Sequence, residues 1–212
     1  MRIHADISVS LDGFSAGPDP SLEEPLGRGG EQLHDWAFRL RAWREQHGLE
    51  GGEEAPESAW VDEIASGTGA FVMGRKMYSG GSGPWEDDSN ANGWWGDEPP
   101  FHAPVFVATH HAREPLELRG TTFHFVTDGV AAALEQARVA AAGKDVQISG
   151  GADVVQQCLA LGVVDEFQLH VAPRFLGGGT RLFDGSAPAE WEILETIASP
   201  YATHVRYRVT RR

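Results

Sequence analysis

One stretch constrains the fold more than any other: DVQISGGADVVQQCLALGVVDEFQLHVAP, from Asp145 to Pro173. An apolar run ends in Ser149-Gly150-Gly151, an amphipathic run begins at once, and an alternating run follows it. The pattern reads as strand, helix and strand, with almost no chain left over for the joins. Two glycines between a strand and a helix admit two explanations. They make a tight turn and let the helix pack closely on the strand, or they let something negative approach the backbone at the helix N-terminus.

The rest of the chain continues the alternation. RIHADISVS places Ile3, Ala5, Ile7 and Val9 on one side of a strand and His4, Asp6 and Ser8 on the other. EQLHDWAFRLRAWREQHG predicts one helix, with Leu33, Trp36, Ala37, Leu40 and Trp43 at helical spacing and Gly48 near its end. SAWVDEIASG predicts a short helix and AFVMG a buried strand; PVFVATHH and TTFHFVTDG predict two more strands, and VAAALEQARVAAAG a helix that stops at Gly143. The last stretch, EWEILETIASPYATHVRYRVTRR, predicts two strands joined near Ser199-Pro200. Such an order implies an α/β protein with a mixed sheet covered on both faces and a closing hairpin. No repeat or boundary divides residues 1–212, so a single domain is expected. From Ser79 to Pro104 the chain turns to Gly, Trp, Asp and Pro, too aromatic for a plain linker; long loops of this kind often carry function.

Charge narrows the partners. With 17 basic and 31 acidic residues the net charge is −14, which disfavours general nucleic-acid binding but not a small phosphorylated ligand met by a local cluster of donors. No run is long and apolar enough for a membrane span, and the start MRIHADISVSLDG does not read as a signal peptide. The single cysteine, Cys158, lies on an apolar helix face, so a reducing cytoplasm is the expected setting. His110 and His111 are adjacent and would point to opposite sides of a strand, and no H-E-x-x-H appears, so no metal site is expected.

Four strand ends carry candidate chemistry. In FVMGRKMY, Gly74 ends a strand and Arg75 and Lys76 follow; they suit a phosphate or make a solvated basic turn. ISGGADVV offers free N–H groups and the positive end of a helix. In VFVATHH, Thr109 and His110 follow a strand. In SVSLDG, Asp12-Gly13 is a turn signal, or a carboxylate at the sheet edge where ligands gather in open α/β sheets. No G-x-S-x-G or Walker lysine motif is present, so a covalent nucleophile is not indicated.

Taken in order, SVSLDGFSAG, FVMGRKMY, VFVATHH and ISGGADVVQQCLALGVVDEFQLHVAPRFLGGGTRLFDG resemble the dihydrofolate reductase-like superfamily. The similarity is nearest to the reductase domain of bacterial riboflavin-biosynthesis enzymes and its stand-alone relatives, and it spans nearly the whole chain. The resemblance implies a three-layer fold with a mostly parallel central sheet and an antiparallel C-terminal hairpin. It implies NADPH, with Gly74, Arg75, Lys76 and Met77 by the phosphates and Thr109 and His110 on the adenosine 2′-phosphate side. Ser149, Gly150, Gly151, Ala152 and Val154 would run beside the nicotinamide ribose and pyrophosphate, and Ile7 and Ser8 near the nicotinamide. It departs where Met77 replaces the Thr usual in dihydrofolate reductases. The function implied is hydride transfer to a small heterocyclic or sugar-derived substrate, pterin- or pyrimidine-related, with Asp12 and Asp35 as acid candidates. The alternative is a module that holds a dinucleotide without turnover or serves oligomer formation. A homodimer is expected; the Trp-rich segment Trp85 to Trp95 and the loop Gly177 to Thr180 would wall the pocket, with Trp94-Trp95 equally suited to a dimer interface.

Overall fold

The structure, a computed structural model, describes residues 1–185 and 190–210. Ser186, Ala187, Pro188 and Ala189 lie outside the described residues, as do Arg211 and Arg212. Among the described residues nine strands form one sheet. In chain order they are β1 (Ile3–Ser10), β3 (Thr68–Gly74), β4 (Val105–Ala108), β5 (Leu116–Leu118), β6 (Thr121–Val126), β7 (Asp145–Gly150), β8 (Glu166–Ala172), β10 (Glu190–Ala198) and β11 (Thr203–Thr210). Two further short strands, β2 (Phe14–Ala16) and β9 (Thr180–Arg181), pair with each other. The order across the large sheet is β10-β11-β8-β1-β7-β3-β4-β6-β5. The six strands from β8 to β6 are parallel, while β5, β11 and β10 pair antiparallel with their neighbours. The mostly parallel sheet and the C-terminal hairpin are as expected.

Helices α5 (Val130–Ala140) and α6 (Ala152–Ala160) cover one face. Their apolar stripe, including Ala133, Leu134, Ala137, Val155 and Cys158, meets Ile3, Ala5, Ile7 and Val9 of β1 and Val146 and Ile148 of β7. The other face carries α1 (Asp35–Phe38), α2 (Arg41–Gln46), α3 (Ser58–Gly67) and α4 (Arg75–Ser79). Both faces of a central parallel strand are therefore buried. His4, Ser8 and Ser10 of β1 are as enclosed as the aliphatic side. No helix among the described residues is long and apolar enough to cross a membrane.

The segment from Glu31 to Gly48 departs from the single helix its spacing predicts. It forms a 3₁₀ turn over Gly30–His34, then α1, then α2 after a break at Leu40. Leu40 is extended and bridges Glu53, with Glu53 N–H donating to the Arg39 carbonyl (2.7 Å) and Arg41 N–H to that of Glu53 (2.9 Å). Gly52 allows this approach: a side chain there would lie 2.7 Å from the Arg41 nitrogen, and its φ of +103° suits glycine. The apolar residues Leu33, Trp36, Ala37 and Leu40 are still buried, but by three short pieces folded onto the sheet.

The Trp-rich segment contains one 3₁₀ turn, Trp85–Asp87. Trp85 and Trp95 pack against a cluster of Phe71, Met73, Tyr78, Val105, Val107 and Phe123, so these rings close a second core beyond β3 and β4.

Candidate active site

Parallel pairing brings the sequence-remote strand ends to one edge. Met73 sits opposite Gly150, and Gly74 opposite Ala108. The turn after β1, the start of α4, the end of β4 and the start of α6 therefore share one edge of the sheet, at the carboxyl ends of the strands, where ligands gather in open α/β sheets.

The glycines divide by physical reason. A Cβ on Gly74 would stand 3.0 Å from Val154 Cγ2 and 3.8 Å from the Gly151 nitrogen, so Gly74 lets β3 pack beside the start of α6. Gly150 has φ +117°, a conformation side chains rarely adopt, and its Cβ position is 3.3 Å from Met77 Sδ and 3.5 Å from Ile7 Cδ1. Gly151 has an ordinary φ of −65°, and a Cβ there would meet nothing within 4 Å. Packing within the protein does not call for glycine at Gly151; open space lies in front of it, at the N-terminus of α6. Nearby, Ser149 Oγ is buried without a partner. Ala152 and Val154 are buried behind the turn. An unclaimed hydroxyl, open backbone and a helix N-terminus make a cradle suited to the sugar and phosphates of a dinucleotide.

Ile7 and Ser8 do not share a face. Ile7 packs with the α5–α6 side and reaches Gly150, whereas Ser8 Oγ accepts a hydrogen bond from Trp36 Nε1 (3.0 Å) on the other side. Thr109 is buried; its N–H donates to the Val126 carbonyl and its Oγ1 accepts from His111 N–H (3.1 Å). His110 and Lys76 are exposed.

Arg75 corrects the picture of an outlying basic turn. It is 7% exposed, pairs with the buried Asp88 carboxylate at 2.5 Å, donates to Ser79 Oγ, and lies 3.6 Å over the ring of Trp85. Asp88 also accepts from Ser79 Oγ (2.8 Å) and Asn90 N–H (2.8 Å). Burial pushes the Asp88 carboxyl up, but the Ser79 and Arg75 hydrogen bonds outweigh it and hold the group below the usual range. The pair anchors the Trp-rich segment to α4. Asp88 lies far along a loop with no regular spacing, which is why the sequence did not announce it.

The two acid candidates differ in the same way. Asp12 Oδ1 accepts from Ser10 Oγ (2.6 Å) and Leu176 N–H (3.1 Å), and Oδ2 from Gly177 N–H (2.7 Å). Ser10 and these amides hold the carboxyl down at about 2, so it ties the β1 turn to the glycine-rich loop as an ionised acceptor. Asp35 opens α1, keeps a side chain 44% exposed, and pairs with Arg174 at 3.3 Å.

A polar cluster beneath α1 was not singled out from the sequence. Asp6, His170 of β8 and His204 of β11 are joined across three adjacent strands, under Trp36. The signal was present: polar residues alternating along strands of a sheet covered on both faces must be buried. Elsewhere, a cavity of about 380 Å³ lined by Leu159, Leu169, Phe183, Trp191 and Tyr207 opens beside α6 and the hairpin; it includes none of the predicted site residues.

Comparison with solved structures places this architecture. A protein assigned to riboflavin biosynthesis from Shewanella sp. PV-4 superposes with a TM-score of 0.62 at 18% identity, covering 100% of both chains. A diaminohydroxyphosphoribosylaminopyrimidine deaminase/5-amino-6-(5-phosphoribosylamino)uracil reductase from Thermotoga maritima gives 0.53 at 13%, over 98% of this chain and 56% of that one. Dihydrofolate reductase from Enterococcus faecalis, complexed with NADP(H), gives 0.51 at 12%, over 99% and 97%. At these identities the likeness is one of fold, and the fold is dihydrofolate reductase-like. No curated protein matches the chain. The family description "RibD C-terminal domain" matches residues 2–204, and with nearly the whole chain so covered, this protein belongs to the RibD C-terminal domain family.

Proposed function

We propose that the protein is an NADPH-dependent reductase that transfers hydride to a small heterocyclic or sugar-derived substrate, pterin- or pyrimidine-related. The observation that carries the reading is Gly151: a glycine with an ordinary backbone angle and nothing in front of it, at the head of α6 and at the strand ends. Family membership supports the reductase class, and the likeness to a dihydrofolate reductase holding NADP(H) supports the cofactor.

When bound, the nicotinamide supplies the hydride, so the protein's task is to hold, orient and exclude water. Gly150, Gly151 and Ser149 would receive the ribose and pyrophosphate, with the N–H groups at the start of α6 facing the charge. Ile7 and Met77, both against Gly150, would form the apolar side of the nicotinamide pocket. Thr109 and His110, at the end of β4, would sit toward the adenosine end. Lys76 is the remaining cation of the MGRKMY motif on the surface, since Arg75 is committed to Asp88. Asp12, held ionised, keeps the Arg174–Gly179 loop against β1 and is not a proton donor at neutral pH. Asp35 is the acid we assign to substrate contact. A homodimer in the cytoplasm completes the reading.

The test is direct: NADPH binding by fluorescence beside NADPH oxidation against a pterin and pyrimidine panel. Turnover with any member supports the reductase. Binding without turnover would favour a dinucleotide-holding module, and no binding would reject the site.

A further inference from the structure

The layer between the sheet and α1–α3 holds a group of buried titratable side chains beside the apolar cluster of Trp36, Ala37, Leu40 and Val61. His170 Nε2 lies 2.9 Å from Asp6 Oδ1, and His170 Nδ1 lies 2.7 Å from His204 Nδ1. On the far side, His204 Nε2 faces Glu57 Oε1 at 3.8 Å. His170 and His204 are 1% and 0% exposed, and Glu57 is 2% exposed. The result is a line, carboxylate–imidazole–imidazole–carboxylate, crossing β1, β8, β11 and the residue that precedes α3.

Hydrogen-bond chemistry restricts its protonation states. With the Gln168 amide oriented to satisfy both neighbours, its nitrogen donates to Asp6 Oδ2 (3.1 Å) and its oxygen accepts from Arg206 Nη2 (3.1 Å). Asp6 is then an acceptor at both oxygens, so His170 Nε2 carries a proton. A contact of 2.7 Å between two Nδ1 atoms requires one proton between them. With no further proton, His204 Nε2 is bare and faces a carboxylate; with one more, it is an N–H aimed at Glu57. With yet another, both Nδ1 atoms carry hydrogens and the contact cannot form.

We propose that His170 and His204 share a single extra proton, forming a buried imidazole–imidazolium unit that is closed at each end by Asp6 and Glu57 and that acts as a pH-sensitive positioning latch for Trp36. Trp36 stacks on His170 at 4.2 Å and meets His204 edge-on at 4.8 Å, so a cation in the pair attracts its ring. The indole N–H in turn holds Ser8 of β1, the neighbour of Ile7. Trp60 closes the top at 6.1 Å from His170 and 6.2 Å from His204. Other charged or titratable groups on the elements packed here are His4 on β1, Arg206 on β11, His34 before α1, Asp35 on α1, Glu63 on α3 and Glu195 on β10, which accepts from Trp60 Nε1 (3.1 Å). Arg206 is paired with Glu63 (2.8 Å) and Asp35 with Arg174. Burial, and then the charge of His170, hold the His204 ring down at about 4, in keeping with a second proton being refused until the solution is acid.

The test is imidazole ¹⁵N and N–H proton NMR of the full chain across pH, with the Trp36 indole N–H assigned through Trp36→Phe. At pH 7 we expect three nitrogen-bound protons on the two rings, Nδ1 signals averaged between protonated and bare values, and one far-downfield bridging proton. Raising the pH should remove the extra proton, and the Trp36 indole signal should move at the same midpoint. Asp6→Asn should lower that midpoint by about one unit or more, a tenfold or greater loss of proton affinity, and Glu57→Gln should lower it in the same direction. If Asp6→Asn does not fold, Glu57→Gln carries this arm. Two neutral rings at pH 7 would overturn the proposal, as would a Trp36 signal that ignores the midpoint, or a midpoint unmoved in every variant that folds. None of these measurements involves the cofactor, so failure of the latch and failure of the reductase reading are separable.

Discussion

Replacing Arg75 with alanine should unfold more than it unbinds. Its guanidinium is 7% exposed and its partner Asp88 has a side chain only 3% exposed, so the substitution leaves a buried carboxylate with Ser79 Oγ and one backbone N–H. Breaking a buried pair from one side costs about 3–5 kcal/mol. A second route to the magnitude agrees. The stranded carboxylate can escape by taking a proton, and from an ordinary value of 3.8 to pH 7 that costs about 4 kcal/mol at 1.36 kcal/mol per pH unit. The escape caps the penalty and makes it pH-dependent: at pH 5 the same step costs only about 2 kcal/mol. For a chain of this length about 4 kcal/mol corresponds to a melting temperature lower by roughly 8–16 °C. Urea unfolding of parent and Arg75→Ala at pH 7 and pH 5 measures both numbers, and Arg75→Ala with Asp88→Asn should recover part of the loss. A cost below about 1 kcal/mol at pH 7, with weakened NADPH binding instead, would refute this reasoning and return Arg75 to the solvated phosphate ligand that MGRKMY suggests.

Gly151→Val should abolish NADPH binding while leaving the melting temperature near that of the parent, because a Cβ there meets nothing in the protein within 4 Å; titration calorimetry beside a thermal melt reads both. Acid should destabilise the protein before its carboxylates titrate. His204 is held at about 4 against an ordinary 6.5, so the unfolded chain binds the proton first, and stability falls as pH drops from about 6.5 toward 4; His4 and His34, also lowered by burial, add the same sign. Urea midpoints across that window test it, and a flat profile would contradict it. Asp12→Ala should release the loop at Leu176 and Gly177, seen as faster amide exchange or proteolysis at Gly177–Gly179. Sedimentation at micromolar concentration should show a dimer, and a 23.0 kDa species alone would reject that expectation.

Elements whose signals are local can be read from the chain alone. Period-two alternation marks β1, β8, β10 and β11, because a strand with two unlike faces writes them alternately. The SGG turn marked the join of β7 and α6, because only glycine accepts the φ of Gly150. The family was legible from those turns in order. Other features depend on which residues meet through space, and those emerge only once the chain is folded. Leu33 to Trp43 has helical spacing, yet a partner twelve or more residues away, Glu53, draws Leu40 out of the helix. Arg75 read as a surface cation until Asp88 and Trp85 enclosed it. Asp12 read as an acid until three hydrogen bonds from residues as distant as Gly177 made it a clamp. Asp6, His170 and His204 stand more than 160 and 30 residues apart, and parallel and antiparallel register set them side by side. A side chain's charge is written in the sequence; its solvent, its partner and therefore its proton are set by the fold.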